Sequence, residues 1–276
     1  MKNDNNDKIL KSSLSTLLKR FSSTDLISPL DRDFATNAGR IKLSLIDDNH
    51  ILKKARINEF KLEKMISEIN EKGVTAPIMV TPKGDRYEVL YPRIVYIACL
   101  KNKLDSLPVS IVNLSEVDTI VFLASRIRDS KESNIVELSL LLNCLRKKYK
   151  YTQSEIASMM KQSRSQITNI MRLNKMPEWV LRDISNDKLS FGHARALSCL
   201  KEDKLNEVIP VIYDKNLSVR ETEKLIYQMY HKVDFDKNQN KLGERFHCDV
   251  KVSPKQVTLT FASEEDRKKF IRKYSK

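Results

Sequence analysis

The sequence predicts an α+β fold that is mainly helical, and three observations carry that prediction. Among 276 residues there are only 5 Gly and 7% aromatics, too few for a chain dominated by strands and tight turns. Helical periodicity runs almost unbroken through residues 126 to 232. Short apolar runs of strand character are confined to residues 41 to 125 and 247 to 276. With 41% hydrophobic and 31% charged residues there is material for real cores, and no apolar run approaches the length of a membrane span. A net charge of +14 directs the search for partners to polyanions, nucleic acid before anionic membrane.

Residues 1 to 40 open on a polar run and read as a flexible tail with one short helix. Leu10, Leu14, Leu17 and Phe21 recur there at spacings of three and four, flanked by Lys11, Lys19 and Arg20. Such a helix is amphipathic and basic, and needs a partner for its stripe. Residues 41 to 125 alternate strand-like runs (41–46, 78–81, 87–90 and 109–112) with helical stretches such as 58–72, which makes a small mixed α/β domain. Gly73, Pro77, the turn Pro82-Lys83-Gly84-Asp85 and Pro108 punctuate it at element boundaries.

Residues 126 to 232 fit five or more short helices, with breaks expected at Pro177, around Ser190-Phe191-Gly192, at Pro210 and at Asn216. The polar stretch 233–246 reads as a linker. In residues 247 to 276, Val250 and Val252, then Val257, Leu259 and Phe261, alternate on either side of Ser253-Pro254-Lys255. Ser263 and Asp266 then have capping-box spacing at the start of a helix. So small a unit cannot close a core alone, and self-association into a homodimer is expected.

Cys99, Cys144, Cys199 and Cys248 lie far apart, with no C-x-x-C pair, and the histidines are equally scattered. Each cysteine is expected as a small buried hydrophobe in a reducing cytosol, and no metal site is expected.

The segment Thr152 to Leu173 has the spacing of a helix-turn-helix. Thr152 can cap a first helix with Ile156, Ala157 and Met160 inward, and Ser163 a second with Ile167, Ile170 and Met171 inward. Arg164, Ser165, Gln166 and Asn169 are left outward, types that suit base edges and phosphates. Between Cys144 and Met176 eight basic residues face one acid, a concentration that fits phosphate binding. The predicted DNA-binding set is Thr152, Gln153, Ser163, Arg164, Ser165, Gln166, Thr168, Asn169 and Arg172, with Lys147 and Lys148 on the backbone. Lys161 stands where the turn often uses Gly, and a positive φ there carries a cost. Trp179, the one tryptophan, is expected as a core anchor.

This helix-turn-helix, followed by Leu189-Ser190-Phe191-Gly192-His193-Ala194-Arg195-Ala196-Leu197, resembles the ParB family of centromere-binding partition proteins. Lys72-Gly73-Val74-Thr75-Ala76-Pro77-Ile78-Met79-Val80 upstream and Leu217-Ser218-Val219-Arg220-Glu221-Thr222-Glu223 downstream extend the resemblance over most of the chain. It implies a dimer on double-stranded DNA with an inverted repeat, working in the cytoplasm on a nucleoid or plasmid. It also implies a ParA-type ATPase as partner of the tail, with Lys11, Lys19 and Arg20 as the stimulating basic residues. Membrane docking of the same helix is the lesser alternative. His193 and Arg195 would support phosphate contacts or helix packing.

The chain departs from that family in one respect. Family members hold the triphosphate of CTP with a Gly-Glu-Arg-Arg-x-Arg-Ala segment, and a gapless alignment puts Pro92-Arg93-Ile94-Val95-Tyr96-Ile97-Ala98 in its place. Ile94, Val95 and Ile97 thus replace three arginines, removing charge-assisted hydrogen bonds of roughly 1.5–3 kcal/mol each. The second nucleotide segment, an acidic-Asn-x-x-Arg pattern, here reads Ser125-Arg126-Ile127-Arg128-Asp129. No cofactor is expected, CTP being disfavoured, and the expected activity is binding without chemistry. A site-specific transcriptional regulator and a CTP-dependent DNA clamp are the alternatives.

Overall fold

A computed structural model describes residues 35–130, 134–253 and 256–274; the expected helix at 9–21, with Lys11, Lys19 and Arg20, lies outside them. The chain divides into two compact units, one up to Glu202 and one from Asp203.

The first unit is built on a five-stranded mixed sheet in the order β1-β5-β3-β4-β2, with β1 Ala35–Lys42, β2 Ile46–Asp47, β3 Ile78–Lys83, β4 Arg86–Tyr91 and β5 Ser106–Val112. β3 and β4 pair antiparallel through the turn that the sequence marks, where Gly84 takes φ +61°. Alternation along β4 sends Val89 and Leu90, both fully buried, into separate cores on the two faces. On one face lie α1 (Glu59–Lys72) and α2 (Arg93–Lys101). Asn58 caps α1 by accepting from the Lys61 amide at 3.0 Å, and Gly73 ends it at φ +70°. Tyr96 of α2 donates to the Ile46 carbonyl at 3.0 Å and so ties helix to sheet.

The other core joins Leu52, Leu90 and Val112 to α3 (Glu116–Asp129), α4 (Ile135–Lys147) and the helix-turn-helix. Ser115 and Asn134 cap these two helices, and Leu138, Leu141, Leu142 and Leu145 of α4 are buried. α7 (Glu178–Ser185) and α8 (Phe191–Leu197) complete the unit.

Several sequence expectations need correction here. The run 41–46 is not one strand: β1 begins earlier, and Leu43–Leu45 form a 3-10 turn before β2. The expected divide at residue 125 falls inside α3, because the apolar face of that helix belongs to a core shared by sheet and helices. Trp179 is half-buried in a shallow surface pocket with Arg56, Arg182 and Glu202, and Val180 and Ile184 make the core contacts of α7 instead. Of the cysteines only Cys99 is buried, and burial pushes its thiol up to about 11; Cys199 is exposed.

The second unit holds α9 (Glu202–Lys215) from its second residue on, α10 (Val219–Phe246), the hairpin β6 (Asp249–Ser253) with β7 (Gln256–Thr260), and α11 (Glu264–Tyr274). Pro210 does not break α9; buried Leu205, Val208, Ile209 and Ile212 form one stripe across it. Residues 233–246 are helical rather than an irregular linker, the closing turns of a 28-residue α10. That part of the helix packs on β6: the Val252 amide donates to Gln239 Oε1 at 3.4 Å, and a Cβ on Gly243 would stand 3.3 Å from the Cys248 carbonyl. Ser263 caps α11 as its spacing foretells, accepting from the Asp266 amide at 3.2 Å.

Candidate nucleic-acid interface

The helix-turn-helix consists of α5 (Gln153–Met159) and α6 (Arg164–Arg172). Thr152 and Glu155 form a reciprocal capping box at the start of α5, with the Thr152 amide donating to Glu155 Oε2 at 2.8 Å. The turn passes through Lys161 at φ +50°, the costly conformation expected for a non-Gly residue. Ser163 Oγ accepts from the Gln166 amide at 3.1 Å and starts α6.

Ile167, Ile170 and Met171 bury the inner face of α6, and Asn143 of α4 donates to the Met171 carbonyl at 3.0 Å. That packing turns Arg164, Ser165 and Gln166 to the outside as one exposed first turn, with Arg172 exposed at the far end. Asn169 and Thr168 are half-buried, and the Thr168 hydroxyl is spent on the Arg164 carbonyl at 2.8 Å. Thr152 and Ser163 use their side-chain oxygens as caps, and Gln153 is half-buried beside them.

The two lysines expected on the backbone differ. Lys147 is exposed at the end of α4, whereas the Lys148 ammonium is hydrogen-bonded to Glu116 and stacked 5.2 Å over the Tyr149 ring. The Glu116 carboxylate holds Lys148 well above the ordinary lysine value, and Lys148 in turn holds Glu116 below the usual carboxylate range. His193 is half-buried on α8, its ring Nδ1 2.9 Å from Ser190 Oγ, while Arg195 is exposed.

One role escaped the sequence reading, which placed Arg128 only in the altered second nucleotide segment. Arg128, at the end of α3, donates to the Met160 carbonyl, the last residue before the strained turn, and is gripped by Asp129 at 2.7 Å through two nitrogens. No local signal marks this role, because the partner lies 32 residues away.

The segment aligned with the arginine-rich nucleotide motif forms the first turn of α2 and the wall of a cavity of about 540 Å³. Ile94 and Val95 line it and offer no side-chain donor. Arg93, 8% exposed, is engaged elsewhere: Nε and Nη2 reach the two Asp48 oxygens at 2.8 Å each, and Nη1 reaches Glu137 Oε1 at 2.8 Å and the Ala55 carbonyl at 3.0 Å. Among the described residues, the charged groups facing the cavity are two cations, Lys61 and Arg93, and two carboxylates, Glu137 and Asp187. Among the described residues, both of these cations are already paired with carboxylates of this chain, an arrangement that offers a triphosphate little to bind.

Residues 131–231 match the family described as the ParB HTH domain. The chain is 29% identical over 194 residues to the probable chromosome-partitioning protein ParB of Coxiella burnetii, covering 70% of this chain and 67% of that protein. It is likewise 29% identical over 168 residues to the protein of the same description from Pseudomonas putida, covering 60% of this chain and 58% of the relative. Thus the chain spans about three fifths to two thirds of the length of these relatives. Among solved structures, the DNA-binding domain of ParB complexed to the centromeric parS site is 30% identical, with a TM-score of 0.36, covering 41% of this chain and 89% of that one.

Proposed function

Because the chain belongs to the ParB family, we propose that it is a sequence-specific DNA-binding partition protein acting on a centromere-like inverted repeat. The observation that carries this reading is the exposed first turn of α6. Arg164, Ser165 and Gln166 stand outward on a helix locked from behind by Ile167, Ile170 and Met171. A rigid helix presenting a guanidinium and an amide matches the donor and acceptor pattern of guanine and adenine in the major groove. Lys147, Arg172 and Arg195, all exposed, supply the charge for phosphates, and Ser190 fixes the start of α8 by accepting from the His193 amide.

Two copies are needed to read an inverted repeat. The second unit supports self-association: no α11 residue is buried, and Val257, Ile271 and Tyr274 stand 54%, 50% and 46% exposed. In this reading the tail, through Lys11, Lys19 and Arg20, engages a ParA-type ATPase in the cytoplasm, and the chain itself performs no chemistry. No described helix is long and apolar enough to cross a membrane.

The test is genome-wide immunoprecipitation from cells with the native locus, beside a strain carrying Arg164→Ala. A sharp Arg164-dependent peak at an inverted repeat beside a ParA-like gene is the expected result. Dispersed promoter peaks would replace partition with transcriptional control, and a peak broadened over kilobases would mean spreading.

A further inference from the structure

We propose that Arg93 is a built-in cationic latch that fastens the sheet to the helix-turn-helix half without any nucleotide, and that DNA binding by this chain is therefore indifferent to CTP. The latch rests on geometry alone; its consequence for DNA rests on the DNA-binding reading above.

One buried guanidinium joins three parts of the first unit. Asp48 follows β2, Ala55 closes the 3-10 turn Leu52–Lys54, Arg93 opens α2, and Glu137 lies in the first turn of α4. Four of the five Arg93 N–H groups are consumed by these partners. Because α4 in turn holds α6 through Asn143 and the Met171 carbonyl, the tie from the sheet continues to the recognition helix.

Burial by itself would favour the neutral forms. It raises the Glu137 carboxyl despite the opposing pull of Arg93, while the carboxylate of Asp48 and that of Glu137 keep Arg93 firmly protonated. A planar fork suits this position, since an ammonium could not bridge Asp48 through two bonds and reach Glu137 as well.

A second seam among the lining residues of the cavity closes the same two halves. Asn58 Nδ2 donates to Asp187 Oδ2 at 3.0 Å, Lys61 lies 2.9 Å from the same carboxylate, and the Glu59 amide donates to Asn186 Oδ1 at 3.2 Å. Both cations that line the cavity among the described residues are therefore paired with carboxylates of this chain. A polyanion could take either only by expelling its partner and then facing that carboxylate at close range. The interaction that an anionic ligand would supply between the halves is already made internally.

Amide hydrogen exchange on the full chain tests the latch, with and without millimolar CTP and magnesium, for the wild type, Arg93→Met and Glu137→Gln. CTP should leave wild-type exchange unchanged in residues 48–55, 93–97 and 135–142, and leave the affinity for an inverted-repeat DNA within about twofold. Arg93→Met should speed exchange in all three segments by about tenfold or more. Should that variant fail to fold, Glu137→Gln, which keeps the side-chain shape, should loosen 93–97 and 135–142 to a smaller degree. Slower exchange around the cavity on adding CTP, or a CTP-dependent rise in DNA affinity, would overturn the proposal, as would unchanged exchange in both variants. Exchange is read on the free protein, so a chain that behaves as expected there but binds no DNA would refute the functional reading and leave the latch standing.

Discussion

The helix-turn-helix and the seam around Arg93 use the same side chain to opposite ends. Arg164 sits on the first turn of a helix whose inner face is fully packed, and its guanidinium stands in solvent. Arg93 also sits on the first turn of a helix, yet its guanidinium is surrounded by Asp48, Glu137 and the Ala55 carbonyl. Charge is displayed at one place and consumed at the other. The difference shows that a basic residue in a functional segment has meaning only with its counter-charges: eight basic residues and one acid around the helix-turn-helix leave charge for a partner. Among the described residues beside the cavity, two cations and two carboxylates balance one another.

Breaking the consumed charge should have the largest effect. Arg93→Met strands Asp48 and the buried Glu137, and should cost about 3–5 kcal/mol in urea unfolding monitored at neutral pH. A loss under about 1 kcal/mol would mean that the buried pair contributes little. Arg128→Ala removes the brace on the Met160 carbonyl; it should cost about 1.5–3 kcal/mol and lower affinity for the specific site, with Arg128→Lys restoring part of both.

The displayed charge is probed through DNA rather than stability. Arg164→Ala should lose about 1–3 kcal/mol on the cognate inverted repeat in fluorescence anisotropy titrations, little on random DNA, and leave the melting temperature unchanged. Lys147→Ala should weaken both DNAs alike and shallow the salt dependence by about one unit. Equal losses on both DNAs for Arg164→Ala would move that residue from base reading to phosphate contact.

Lys148 lies between the two cases, basic and exposed but paired with Glu116. Glu116 has its carboxyl depressed by the Lys148 hydrogen bond, so its stabilising share is present above its ordinary value of 4.5 and is lost as pH falls through the depressed value. Glu116→Gln should therefore flatten the acid limb of the stability profile by about 0.2–1 kcal/mol, checked by thermal melts across that range. Its effect should vanish once the wild-type carboxyl is protonated.

What could be read in advance was local. Thr152, Ser163 and Ser263 announced helix starts through bonds that span three residues, and each cap is formed as its spacing foretells. Gly84 marked its turn for the same reason. Where a long-range partner decides, the reading failed. Trp179 had the bulk of a core anchor but sits on the outer side of α7, and the polar stretch 233–246 became helix because β6 packs against it. Lys148 looked available until Glu116, 32 residues away, claimed it.

By itself, then, the sequence determined the helical bias, the caps at Thr152, Ser163 and Ser263, and the outward first turn of α6, since periodicity and short-range hydrogen bonds encode all of these within a few residues. Only the tertiary structure decided which charges remain free. Arg93 and Glu137 are 44 residues apart, and Arg128 and Met160 32 apart. Whether a guanidinium serves a partner or the fold depends on which carboxylates and carbonyls the packed core carries to within about 3 Å of it, and no local pattern holds that information.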